Sequence, residues 1–142
     1  MAIAITALEI EIITKLVVAV FLGTIIGIER EIHKRPAGVR THILVCMGAT
    51  LFTIISASPN VTFIAAGIVT GVGFLGGGII YHQRNKIIGL TTAAEIWALA
   101  AIGLAVGYGY YFAAFATAIL ILIVLFPLRI LEQKTLRRGR VD

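Results

Sequence analysis
Five blocks of apolar residues dominate the chain: Ile10–Ile28, Thr41–Ala57, Val61–Tyr81, Leu90–Gly107 and Tyr110–Leu128. Each approaches the roughly 20 helical residues needed to cross a hydrocarbon core about 30 Å thick. The pattern predicts an all-α, polytopic membrane bundle of five transmembrane helices in one domain covering the 142 residues. The first block is interrupted by Glu11 and Lys15, which stand four apart with the acid first, the favourable order for a helical ion pair. Both can snorkel to an interface.

Polar connections give the orientation. Arg30, Lys34, Arg35 and Arg40 lie between the first two blocks, Arg84 and Lys86 between the third and fourth, and Arg129, Lys134, Arg137, Arg138 and Arg140 after the fifth. The connections around Ser58-Pro59-Asn60 and Tyr108-Gly109 carry no charge. Eleven of the 12 Lys and Arg residues therefore fall on one side, Lys15 being the exception. The positive-inside rule makes that side cytoplasmic, with the N-terminus outside and the C-terminus inside. Tyr108, Tyr110 and Tyr111 suit the outer aromatic belt and Tyr81 the inner one.

Composition sharpens the class. Hydrophobic residues make up 59% and charged residues 13%, against roughly 25% charged in a soluble domain, so a water-soluble globule and a disordered chain are both excluded. The net charge of +5 reads as loop topology rather than as nucleic-acid binding. Cys46 is the sole cysteine and is expected to be a packing residue. No basic region precedes the first apolar block, so a cleaved signal peptide is not expected.

Glycines concentrate in the blocks. Ala19, Gly23 and Gly27, then Gly67 and Gly71, then Gly103 and Gly107, recur every fourth residue, the spacing that lets membrane helices approach closely. Gly76-Gly77-Gly78 weakens a helix by about 1 kcal/mol per residue, which allows span 3 to unwind and line a cavity. Gly38-Val39-Arg40-Thr41 and Gly89-Leu90-Thr91-Thr92 open spans 2 and 4 alike and suggest a parallel internal repeat.

Glu95 is the polar residue that most needs explaining, since a carboxylate inside a span points to function by default. Thr91, Thr92 and Glu95 share a helical face and could offer a cation hydroxyl and carboxylate ligands, with Glu95 as the metal ligand. Alternatively, Glu95 is protonated or pairs with Arg30, Arg40 or Arg84. In the first cytoplasmic loop, Arg40, Thr41 and His42 open span 2, where free backbone N–H groups favour anions. Its positive charges could anchor to anionic lipid, Arg40 could pair with Glu29, or the loop could meet a phosphate or an acidic partner. Trp97 is expected to pack between helices and His82 to sit at an interface. There is no metal-ligand cluster, catalytic triad or P-loop, so neither enzymatic activity nor a cofactor is expected, Mg²⁺ entering only as a possible ligand.

The blocks Gly27-Ile28-Glu29-Arg30-Glu31, Arg35-Pro36-Ala37-Gly38-Val39-Arg40-Thr41-His42, Gly48-Ala49-Thr50-Leu51-Phe52, Gly71-Val72-Gly73-Phe74-Leu75-Gly76-Gly77-Gly78 and Gly89-Leu90-Thr91-Thr92-Ala93-Ala94 with Trp97 resemble the MgtC/SapB family. The resemblance implies a protein of the cytoplasmic membrane, without the soluble C-terminal domain that some members carry. It implies a role in magnesium homeostasis, with transport of Mg²⁺ or another small cation as the leading activity. The other reading it implies is a non-transporting regulator that binds partner membrane proteins such as ATP synthase. Beyond the lipid bilayer, the small-residue faces suggest a homodimer. The physics of transport is unfavourable here. Mg²⁺ sheds water reluctantly and wants carboxylates, whereas the chain offers one membrane carboxylate, no acidic ring outside and a basic inner face.

Overall fold
The computed structural model describes residues 6–56, 63–84 and 86–126. Five helices form: α1 (Ala7–Ile32), α2 (Val39–Ser56), α3 (Phe63–Ile79), α4 (Leu90–Gly107) and α5 (Tyr111–Leu125). Three of them, α1, α2 and α4, are long and apolar enough to cross a membrane, while α3 and α5 are shorter apolar helices. The fourth predicted block coincides with α4, and the others agree to within a few residues where they are described. Ser58 to Thr62 and the basic tail from Arg129 onward, on which part of the orientation rests, lie outside the described residues.

Helix α1 begins earlier than its apolar block because Thr6 and Glu9 form a capping box. The Glu9 backbone N–H donates to the Thr6 hydroxyl, and the Thr6 backbone N–H donates to the Glu9 carboxylate at 2.6 Å. Lys15 and Glu11 pair at 2.8 Å, as their spacing predicts.

Glycine contacts bring α1 and α4 onto α2. A methyl group at Gly27 would lie 2.7 Å from the Val39 Cα, and one at Gly23 would lie 2.8 Å from the His42 carbonyl oxygen. One at Gly107 would meet the Thr53 Cβ at 2.5 Å. At Gly103 the approach is close enough for the Thr50 hydroxyl to donate to the Gly103 carbonyl at 2.9 Å. Cys46 is buried at this crossing, a packing residue as expected. Outside the bundle, Phe74 and Phe112 are 85% and 89% exposed, as suits side chains facing lipid.

Four expectations need correction. Helix α3 runs unbroken through Gly76, Gly77 and Gly78 to Ile79, so no unwound segment lines a cavity. Gly76 packs beside Ala93, and Gly77 and Gly78 have open space where a side chain would be. The helix survives because its other residues are apolar and Gly76 is held against α4. Trp97 is 53% exposed and faces outward rather than packing between helices. Its position on α4 lies away from the face that meets α2. Span 3 ends at Ile79 rather than Tyr81, because a short antiparallel hairpin, β1 (Tyr81–Gln83) and β2 (Lys86–Ile88), follows it within the otherwise helical fold. Consecutive β-branched Ile87 and Ile88 favour the extended backbone. Finally, Arg40 is exposed and does not pair with Glu29, whose carboxylate is taken by its own helix.

Candidate functional site: a buried charge cluster at the basic end
The C-terminus of α1 and the N-termini of α2 and α4 meet at one end of the bundle. Arg30 comes from α1, His42 from α2 and Glu95 from α4, and each is 4% exposed or less. Arg30 Nε lies 2.8 Å from Glu95 Oε2, and His42 Nε2 lies 3.1 Å from Glu95 Oε1. Both carboxylate oxygens are thus engaged by neighbouring helices. Glu29 completes the cluster, with Oε2 3.1 Å from Arg30 Nη1 and Oε1 3.0 Å from His33 Nδ1.

Local sequence sets this geometry. Gly27, one turn before Arg30, lets α2 approach closely enough for His42 to reach across. Glu31 accepts the Val39 N–H at 3.0 Å, satisfying one of the free donors that begin α2. Gly89 has φ +96° and sits against the Ile79 carbonyl, two conditions only glycine meets. It turns the chain into α4 and so fixes where Glu95 points.

Hydrogen bonds engage the His42 ring at both nitrogens. Nδ1 is 2.8 Å from the Gly38 carbonyl, an acceptor only, while Nε2 faces a Glu95 carboxylate oxygen. Those two bonds tie α2 into the cluster. Its hydrogen bonding is incomplete: Arg30 Nε and Glu95 Oε2 form an ion pair without good hydrogen-bond alignment, and Arg30 Nη2 has no hydrogen-bond partner.

Of the residues singled out in the sequence, Glu29, Arg30, His42 and Glu95 are brought together. Thr91 and Glu95 line a crevice of about 250 Å³ between α4 and α5, whereas Thr92 is buried and does not line it. Arg40 and Thr41 are exposed, beside a depression that they share with Glu31, Gly38 and Val39. Gly76, Gly77 and Gly78 belong to α3 and form no part of the cluster. Arg30 was one of three candidate partners for Glu95. His42 as its second partner and Glu31 as the cap of α2 were not anticipated. The spacing Gly38–His42, one helical turn, was the available signal for the ring's first bond. No group of three His, Cys, Asp or Glu residues suited to a metal ion occurs among the described residues.

The MgtC family model matches residues 16–134. The chain belongs to the MgtC family. It is 43% identical to Protein MgtC of Brucella abortus (strain 2308) over 129 residues, 85% of this chain and 54% of that protein. It is 39% identical to Protein SapB of Bacillus subtilis (strain 168) over 126 residues, 80% of this chain and 54% of the relative. A third relative, "Putative magnesium transporter YhiD" of Escherichia coli (strain K12), is 40% identical over 127 residues, 81% of this chain and 59% of its own length. The chain thus spans a little over half the length of these curated relatives. No solved structure matches it. Apolar helices together with this family mark a membrane protein.

Proposed function
We propose that this MgtC-family protein crosses the cytoplasmic membrane five times, N-terminus outside, and serves magnesium homeostasis by contacting other membrane helices rather than by passing the ion. One observation carries the choice: both oxygens of Glu95, the only buried carboxylate among the described residues, face Arg30 and His42. A divalent cation would have to displace a buried guanidinium and the His42 ring. Mg²⁺ needs near-octahedral oxygen ligands and binds through carboxylates and retained waters. Glycine-mediated contact of α1 and α4 with α2 supports the same reading, because it leaves backbone against backbone where a pore would run. Self-association as a homodimer, through small-residue faces such as Gly67 and Gly71, belongs to this proposal; both positions have open space around them.

Transport remains the second reading, favoured by the name of the Escherichia coli relative. The two separate in proteoliposomes loaded with a magnesium-sensitive dye. The proposal expects no influx above empty liposomes, and recovery of partner membrane proteins after crosslinking in cells. Influx that saturates with Mg²⁺ and disappears in Glu95→Gln would establish transport instead.

A further inference from the structure
The hairpin between α3 and α4 has no role in the charge cluster or in the helix crossings. Its three cross-strand pairs are Tyr81 with Ile88, His82 with Ile87, and Gln83 with Lys86. Every described hairpin residue is exposed except Ile88 and the following Gly89, which are half-buried. Paired residues share a face, so both faces of this ribbon are open: Ile87 is 51% exposed on one and Tyr81 49% on the other. An isolated two-stranded hairpin is marginal in water. This one also has a residue other than glycine in the left-handed region, Arg84 at φ 52°. Something beyond its own six paired residues must support it.

Charge says what. Arg84 and Lys86 are both exposed and make no ion pair among the described residues. There is no Asp or Glu from Ile79 through Ala94. The other acids at this end among the described residues are occupied: Glu29 and Glu95 lie in the buried cluster, and Glu31 caps α2. The hairpin also joins the end of α3 to the start of α4, two apolar helices, which on the five-span topology proposed above puts it at headgroup depth. Exposed cations beside exposed Ile80, Tyr81 and Ile87 match the boundary between phosphates and acyl chains.

We propose that the β1–β2 hairpin is a lipid-docking element: its Arg84 and Lys86 bind the phosphates of anionic headgroups while Tyr81 and Ile87 sit at the acyl boundary, so that anionic lipid orders the hairpin. The occupant is the leaflet around the protein rather than a soluble anion or another chain. One cation near an anionic surface is worth about five-fold in local partition, so the pair amounts to about 25-fold at low salt.

The test places a nitroxide on Gln83→Cys in the otherwise intact chain, Cys46 being buried and unreactive to the label. Nanodiscs of pure phosphatidylcholine are compared with nanodiscs containing one-third phosphatidylglycerol. A nanodisc offers the same lipid on both sides, so the result does not depend on orientation or on any transport activity. The proposal expects an immobilised label at headgroup depth only with the anionic lipid. High salt and Arg84→Gln/Lys86→Gln should release it, and Arg84→Lys/Lys86→Arg should retain it. Equal mobility in both lipids would overturn the proposal. So would immobilisation by inorganic phosphate in pure phosphatidylcholine, or immobilisation that appears only as protein concentration rises.

Discussion

Glu95→Ala removes one carboxylate from between a buried guanidinium and a buried imidazole. At 2.8 Å the Arg30–Glu95 attraction is about 6 kcal/mol at an effective dielectric constant of 20. Much of that only offsets the desolvation of the two groups, so the net worth of the pair is small. Truncation is different, because the Arg30 guanidinium stays buried and loses its counter-charge. Breaking one side of a buried pair costs about 3–5 kcal/mol. An ordinary polar contact between membrane helices averages about 0.6 kcal/mol. The two cases are far enough apart for unfolding titrations in mixed micelles to distinguish them. Glu95→Gln should lose most of the same stability, since it keeps an acceptor for His42 but no charge for Arg30. Arg30→Met/Glu95→Gln should lose at least about 2 kcal/mol less than the sum of its single variants, because the stranded cation is gone. A loss below about 1 kcal/mol for Glu95→Ala, with additive double variants, would refute the ion-pair account.

The glycines divide into two groups with opposite expectations. Gly23→Val and Gly107→Val force side chains into α2 and should each lower stability by about 1–3 kcal/mol or more, read by the same titration. Gly73→Ala and Gly77→Ala meet open space and should leave stability unchanged or raise it by up to about 1 kcal/mol, through helix propensity alone. Gly89→Ala should destabilise by more than about 1 kcal/mol, because it puts a methyl group against the Ile79 carbonyl at a positive φ; a neutral result in a thermal melt would remove Gly89 from the account.

Much of the bundle was legible as long apolar blocks, because lipid forces the backbone to satisfy itself within each helix. The every-fourth-residue glycines on α1 and α4 were legible for the same reason: close approach is what holds helices together when lipid is as apolar as they are. On α3 the same spacing marks no crossing among the described residues, since a methyl group at Gly67 or Gly71 would meet nothing within 4 Å. Sequence gives the spacing but not the helix that fills it. Gly76 to Gly78 misled through propensity, a local quantity that tertiary contact with Ala93 and an apolar setting outweighed. The hairpin was hidden because three-residue strands carry too little alternation to register. Glu95 stood out as a buried acid, and Arg30 was among its expected partners. His42 was not, because pairing across 53 residues depends on the α1–α2–α4 crossing angles, which no local pattern records.

The central claim is that the Glu95 carboxylate is held by Arg30 and His42 and is closed to a divalent ion. Nitrogen and carbon NMR of selectively labelled His42 and Glu in reconstituted protein, titrated with Mn²⁺ as a paramagnetic stand-in for Mg²⁺, tests it directly. The account predicts a Glu95 carboxylate coupled to His42 Nε2, and no broadening of either residue as Mn²⁺ rises. A His42 ring uncoupled from Glu95, with Glu95 signals that broaden at low Mn²⁺, would contradict it.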